Sequence, residues 1–208
     1  MELSLAFIVF VLVSAFTPGP NNIMIMASGL NYGVTRSLPH LMAITLGVPS
    51  MFLIVGLLLA WPFQNISWLR PTVQLLGILY LFYLAWLVAT ADSSLPQSNS
   101  EKKSKPLTFL QAALFQWINP KAWMLGAGAL GVFVNGESSL ISQIIIMSIV
   151  FSLSALPSAG TWMLFGSALA SLFNNPVRRK WFNYSMGLLL VTSVMPAVLD
   201  LISQFRVL

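Results

Sequence analysis

Two short motifs in this 208-residue chain combine proline, glycine and asparagine in a way that interrupts an α-helix. The first is Thr17-Pro18-Gly19-Pro20-Asn21-Asn22 and the second is Asn119-Pro120-Lys121. Proline lacks a backbone N–H and glycine weakens a helix, so each helix should stop at its motif. It should restart at Pro20 or Pro120, because proline is favoured at the first helical position. Each break would leave backbone carbonyls and N–H groups without helical partners.

The chemistry that such breaks offer is recognition of a zwitterion. The free N–H groups and the positive dipole end of a restarted helix favour a carboxylate, and Lys121 adds a full positive charge. Freed carbonyls and side-chain amides would hold an ammonium group. Two tyrosines three residues apart share one helix face and could shape the pocket, although packing is the alternative for both. The predicted substrate-binding residues are Thr17, Pro18, Gly19, Pro20, Asn21, Asn22, Gln116, Asn119, Pro120, Lys121, Tyr80 and Tyr83.

Three ionisable residues allow more than one interpretation. Lys121 is the only Lys or Arg well inside an apolar stretch, which favours a functional role, but it could instead satisfy freed carbonyls and brace the broken helix. His40, at the start of the second apolar stretch, fits a headgroup or capping contact better than a proton relay. Asp200, near the end of the last stretch, fits an interfacial position.

The composition identifies the environment of these motifs. Hydrophobic residues make up 57% of the chain, charged residues 7%, and mean hydropathy is +0.84. A soluble domain carries about 25% charged residues, so the chain is predicted to be an integral membrane protein with the lipid bilayer as its partner. The ten Lys and Arg form no basic stripe, which excludes nucleic acid. With no cysteine, no clustered carboxylates and no enzyme signature, we predict no metal, no cofactor and no catalysis.

Charge-free stretches predict six membrane-spanning helices, since a helix crosses the hydrocarbon core in about 20 residues. The fifth is too long for one straight crossing and should bend at Pro157 or project beyond the bilayer. The first lacks the basic region of a signal peptide and is kept as a helix. The expected limits are 3–28, 39–61, 70–91, 108–133, 139–173 and 181–205.

The chain repeats itself once within a single transmembrane domain. Repeat one covers 1–91, a polar linker covers 92–107, and repeat two covers 108–208. A unit of three helices crosses the membrane an odd number of times, so its second copy must be inverted, as in many secondary transporters. Unrelated proline kinks are the alternative. The matched features are Pro18-Gly19-Pro20 with Asn119-Pro120, Pro49-Ser50 with Pro157-Ser158, and Gly77 with Gly187.

Loop charges predict the orientation. Seven Lys and Arg residues fall between helices 1 and 2, 3 and 4, or 5 and 6, and two fall on the opposite side. Cytoplasmic loops carry the excess of basic residues, so both termini are predicted to be periplasmic. A homodimer is compatible with a six-helix unit, although no motif requires one.

Four segments resemble the LysE/RhtB family of bacterial amino-acid exporters. They are Phe16 to Asn22, Gly47, Gly77 to Trp86, and Phe115 to Ala122. The resemblance implies six helices and export of amino acids or close derivatives across the bacterial inner membrane by proton antiport. The PGPNN form is most similar to the branch exporting cysteine and O-acetylserine. A passive channel, a transporter of another small solute or ion, and a non-transporting membrane scaffold are the alternatives.

Overall fold

The structure, a computed structural model, describes residues 5–59, 66, 68–91, 106–133, 139–173 and 175–206. These residues form seven α-helices and no strand, which confirms the all-α prediction. A five-residue π-helical segment, Val55–Leu59, continues the second helix. The helices are α1 Leu5–Phe16, α2 Pro20–Ile54, α3 Leu69–Ala89, α4 Phe109–Ile118, α5 Pro120–Phe133, α6 Leu140–Leu169 and α7 Pro176–Arg206.

Both predicted helix breaks are present. The first helix stops at Phe16 and restarts at Pro20, with Gly19 in extended conformation at the N-cap (φ −166°, ψ −180°). The second break is a single residue, Asn119, between α4 and α5. The Oδ1 atom of Asn119 accepts a hydrogen bond from the backbone N–H of Lys121 at 3.1 Å, which is how an asparagine N-cap stabilises a helix start.

The connection between the first two predicted helices is much shorter than expected. In place of a loop over 29–38, one residue inside α2, Gly33, leaves helical geometry (φ 78°, ψ 174°). Glycine adopts a positive φ without a steric penalty, so one residue suffices for the bend. The hydroxyl oxygens of Ser28 and Ser37 lie 2.8 Å apart, so the two halves of α2 meet beside the bend.

Helix α6 is one continuous helix that contains Pro157, which settles whether segment 139–173 is one helix or two. Helix α7 begins at Pro176, five residues earlier than predicted. The Oδ1 atom of Asn175 accepts from the backbone N–H of Val177 at 2.8 Å, repeating the Asn-Pro start seen at α5. The earlier start places the basic residues 178–180 inside the helix, and Arg179 is buried. Most of the linker, 92–105, lies outside the described residues.

Three described helices are long and apolar enough to cross a membrane, namely Pro20–Leu57, Leu140–Leu169 and Pro176–Ser203. Shorter apolar helices are Leu5–Phe16, Gln74–Ala89 and Phe109–Ile118, of which the first and last end at the two breaks. Many large apolar side chains are exposed, including Trp86 at 67%. Six crossings as inverted repeats stay a prediction.

The helices pack closely where glycines remove side chains. Helix α2 packs mainly against α6, and α3 against α7. A Cβ built on Gly29 would collide with the backbone oxygen of Met163, and one on Gly166 with that of Met26. Small residues let helix backbones approach one another in membranes, and these two glycines set the spacing of α2 and α6.

Candidate substrate site

The fold brings the two helix breaks into direct contact. The ammonium Nζ of Lys121, at the start of α5, donates a hydrogen bond to the carbonyl oxygen of Thr17 at 2.7 Å. The side chain passes over Gly19, where an added Cβ would lie 2.8 Å from the Cδ of Lys121. Glycine at position 19 therefore leaves the room that the lysine occupies.

Carbonyl groups freed at the first break are already engaged. The Ala15 oxygen accepts from Asn22 Nδ2 at 2.8 Å and from Ser158 Oγ at 2.7 Å. The Thr17 oxygen accepts from Asn22 Nδ2 at 3.1 Å in addition to Lys121. Lys121 thus braces the broken helix through the Thr17 carbonyl, and it also lines the cavity described below, where a functional role would be exerted. These two carbonyls would need to exchange a partner before binding a solute ammonium.

A reciprocal amide pair joins the two breaks a second time. Asn21 Nδ2 donates to Gln116 Oε1 at 2.8 Å, and Gln116 Nε2 donates to Asn21 Oδ1 at 3.0 Å. Gln116 is fully buried and its Nε2 also donates to the Ala112 carbonyl at 2.8 Å. A Cβ on Gly47 would lie 2.6 Å from the Cγ of Gln116, which explains the glycine at that position.

We predict that Asn21→Ala lowers the free energy of unfolding by about 1–3 kcal/mol, the cost of leaving a buried hydrogen-bonding group unsatisfied. Its partner Gln116 Oε1 would lose its donor inside the protein. Each single change, Asn21→Ala or Gln116→Ala, removes the same reciprocal pair. The double variant should therefore lose less free energy of unfolding than the sum of the two single losses. Unfolding of the detergent-purified variants measures this, and additive costs would contradict the coupling.

A cavity of about 80 Å³ lies between the breaks, with room for only a few water molecules. Five predicted site residues line it, together with Ser14, Ser158 and several apolar residues of α1, α2, α5 and α6. The sequence indicates Pro157-Ser158 as part of the repeat, but it carries no signal for the place of Ser158 at this cavity. The predicted residues lining this central cavity are Gly19, Asn21, Asn22, Asn119 and Lys121.

The remaining predicted site residues have other positions. Thr17 contributes its carbonyl, Pro18 lies within the first break, and Pro20 and Pro120 begin the restarted helices. Gln116 acts through its pairing with Asn21. No tyrosine is among the described residues lining the central cavity.

The two predicted tyrosines lie elsewhere. Tyr80 donates to the Gln111 carbonyl at 3.1 Å, and its ring stacks on Phe115 with centroids 6.3 Å apart. Tyr83 lines a second cavity together with His40. A substrate contact for Tyr80 or Tyr83 stays a prediction.

The expectation for His40 is wrong. The residue is 1% exposed and caps nothing, since neither ring nitrogen has a hydrogen-bond partner in the described part of the chain. His40 lies in the second half of α2, which follows the bend at Gly33. It is buried there, as is Ser37 one turn earlier. The side chain of Asp200 lies outside the described residues. Over the described ranges, no three His, Asp or Glu residues are grouped to hold a metal ion.

The distribution of polar groups defines the class of protein. Large apolar side chains cover much of the exterior, whereas Asn22, Gln116, Asn119 and Asn183 are buried. This arrangement is typical of an α-helical membrane protein with a polar interior site. Lipid favours an apolar surface, and buried polar groups require hydrogen-bond partners inside the protein. The model of the LysE type translocator family matches residues 12–195, and the chain belongs to this family.

Relatives agree with the family assignment. The chain is 32% identical over 190 residues to the cysteine/O-acetylserine efflux protein of Escherichia coli strain K12, covering 89% of this chain and 92% of the relative. The protein of the same description from Shigella flexneri matches to the same extent. No solved structure gave a significant match. The chain is therefore a membrane transporter and not an enzyme, as the sequence predicts.

Proposed function

We propose that the protein exports small zwitterionic amino acids or close derivatives, of the cysteine and O-acetylserine class, across the bacterial inner membrane by proton antiport. The observation that carries the proposal is the hydrogen bond from Lys121 Nζ to the Thr17 carbonyl, which joins two broken helices at one cavity in a LysE type translocator. Restarted helix ends and a lysine suit the solute carboxylate, and amide oxygens suit its ammonium.

An inverted-repeat transporter offers a consistent account of the architecture. The two breaks share a construction, a capping residue followed by proline, at Gly19-Pro20 and Asn119-Pro120. Equivalent third helices of the two repeats, α3 and α7, pack on one another. In such transporters the site lies near the midplane, where discontinuous helices of both repeats meet.

The small central cavity suits a closed step of the transport cycle. At about 80 Å³ it lies below the ~300–1,000 Å³ typical of small-molecule sites, so solute entry requires the two breaks to separate. The solute carboxylate would then take over Nζ of Lys121 from the Thr17 carbonyl. Lys121 is the one ionisable side chain among the described residues lining this cavity, which makes it our candidate for coupling solute movement to protons.

The proposed setting follows from loop charges and from the relatives. The bacterial inner membrane, periplasmic termini and a cytoplasmic linker agree with the distribution of Lys and Arg, although Lys102, Lys103 and Lys105 lie outside the described residues. A homodimer is included as a proposal, to be checked by the mass of the detergent-solubilised protein.

Proton-driven solute flux in proteoliposomes tests the proposed function. Labelled O-acetyl-L-serine, L-cysteine and L-serine are offered with and without an imposed proton gradient. We expect saturable flux that collapses when a protonophore removes the gradient. Non-saturable flux insensitive to the gradient would indicate a channel, and flux no greater than in empty liposomes would favour a scaffold or a different solute. Either of these results would overturn the proposal.

A further inference from the structure

A second cavity, of about 390 Å³, lies beside the helix ends near Gly33 and near residues 90–91 and 106–108. Its volume falls within the range of small-molecule sites, unlike that of the central cavity. These helix ends belong to the side that the loop charges assign to the cytoplasm. Its polar and aromatic lining includes Ser28, Asn31, Tyr32, His40, Tyr83 and Gln111.

His40 is the unusual group in this lining. It is 1% exposed, and both Nδ1 and Nε2 lack a hydrogen-bond partner among the described residues. An imidazole has hydrogen-bonding capacity at both nitrogens, and burying it unpaired costs free energy. Buried polar groups in native proteins nearly always have partners. An unpaired imidazole lining a cavity of this size therefore indicates that its partner is a ligand.

Other polar side chains of the lining are already held by the protein. The Ser28 hydroxyl pairs with that of Ser37, and Asn31 Nδ2 donates to Asn183 Oδ1 at 2.7 Å. Gln111 Oε1 accepts from the backbone N–H of Thr108 at 3.0 Å as part of a capping box. The hydrogen bonds hold these polar groups in place along the cavity. His40 differs from them, because it has no hydrogen-bond partner among the described residues.

The second cavity continues the face of α2 that lines the central cavity. Asn21 lines the central cavity, and Met24, Ser28 and Asn31 line the second at helical spacing along the same face. Residues 21 and 31 are about 15 Å apart along a helix axis. Met24, at the near end of the second cavity, is three residues from Asn21, so this cavity reaches to within about one helical turn of the Asn21–Gln116 pair that joins the two breaks.

We propose that the second cavity is the entry site for the solute, where His40 binds the solute carboxylate before the solute reaches the central cavity. The proposal rests on the proposed export of small zwitterions. A neutral imidazole has one ring N–H that donates a hydrogen bond, so the buried His40 can bind a carboxylate oxygen through that N–H. The other titratable groups of the described lining are the phenols of Tyr32 and Tyr83, with no Asp, Glu, Lys or Arg among them.

His40→Leu separates ligand binding from folding. Because the imidazole has no protein partner in the described residues, the ligand-free variant should melt at the wild-type temperature or above it. The apparent Kd for O-acetyl-L-serine, measured from ligand-induced thermal stabilisation, should rise about tenfold or more. Thr45→Val is the matched control on the same helix, because Thr45 is buried and lines neither cavity. Its affinity should equal that of the wild type.

The outcomes separate this proposal from the proposed function. If wild-type protein exports the solutes and His40→Leu keeps the wild-type Kd, the entry site is refuted and the exporter stands. A lower melting temperature of both His40→Leu and the smaller, polar His40→Asn without ligand would show that the imidazole supports the fold, which also refutes the entry site. If the wild type neither binds nor exports any solute tested, the proposed function itself fails.

Discussion

Replacing Lys121 with alanine is expected to lower the rate of solute export about tenfold to hundredfold, while the protein still inserts and folds. Its Nζ donates to the Thr17 carbonyl at 2.7 Å and lines the central cavity, so the change removes both the link between the breaks and the positive charge offered to the solute. A hydrogen bond to a charged group is worth about 1.5–3 kcal/mol, or roughly a tenfold to hundredfold loss of transport rate. Proteoliposome flux measures the loss.

A matched lysine controls for the general effect of removing a charge. Lys180 is the fifth residue of α7, with its Nζ 5.7 Å from the centroid of the Tyr184 ring. Lys180→Ala should transport at close to the wild-type rate. Wild-type flux in Lys121→Ala, or an equal loss in both variants, would contradict the role assigned to Lys121.

Gly19→Ala tests the contact between Lys121 and the Thr17 carbonyl without removing the lysine. The added Cβ would lie 2.8 Å from Cδ of Lys121, so the lysine must move away from the first break. We expect a partial loss of flux. In the Lys121→Ala background the same glycine change should add little, because the side chain that it displaces is already gone.

The largest loss of stability is expected from Gly29→Ala and Gly166→Ala. Each added methyl would meet backbone of the facing helix, Met163 for Gly29 and Met26 for Gly166, and backbone cannot rotate away as a side chain can. Overpacking usually costs about 1–3 kcal/mol, and both variants should reach or exceed the upper end of that range. Thermal unfolding after purification in detergent, and the yield of monodisperse protein, measure the effect.

Gly160→Ala is the control within α6. A Cβ at Gly160 would meet no atom of another described segment within 4 Å. Alanine is favoured over glycine in a helix by about 0.8–1 kcal/mol, so this variant should be as stable as the wild type or more stable. Wild-type melting temperatures for Gly29→Ala and Gly166→Ala would refute close backbone packing between α2 and α6.

Local chemistry made the helix breaks predictable. Proline cannot donate a backbone hydrogen bond, and asparagine is a favoured N-cap residue. The sequence alone therefore indicates that helices stop and restart at Pro18, Pro20 and Asn119-Pro120. The apolar composition likewise fixes the environment as lipid. Asn175-Pro176 carries the same Asn-Pro signal for the start of α7, but the basic residues that follow favour a loop when only the sequence is considered.

Other features depended on contacts between residues far apart in the chain. The sequence placed Gln116 and Asn21 in one site, but not their reciprocal pairing, nor the need for glycine at position 47 to make room for it. The bend at Gly33 was missed because a single glycine with positive φ looks the same in sequence as any glycine within an apolar helix.

The sequence by itself determined that this is a helical membrane protein of the LysE family with two interrupted helices, because proline chemistry, hydropathy and family motifs are all local. Only the tertiary structure decided that Lys121 bridges the two breaks, that Tyr83 lies away from them, and that His40 is buried without a hydrogen-bond partner among the described residues. The physical reason is that a side chain's partner is set by the packing of separate helices, chiefly α2 against α6 and α3 against α7. Hydropathy reports burial from water, and it does not report which polar group faces which.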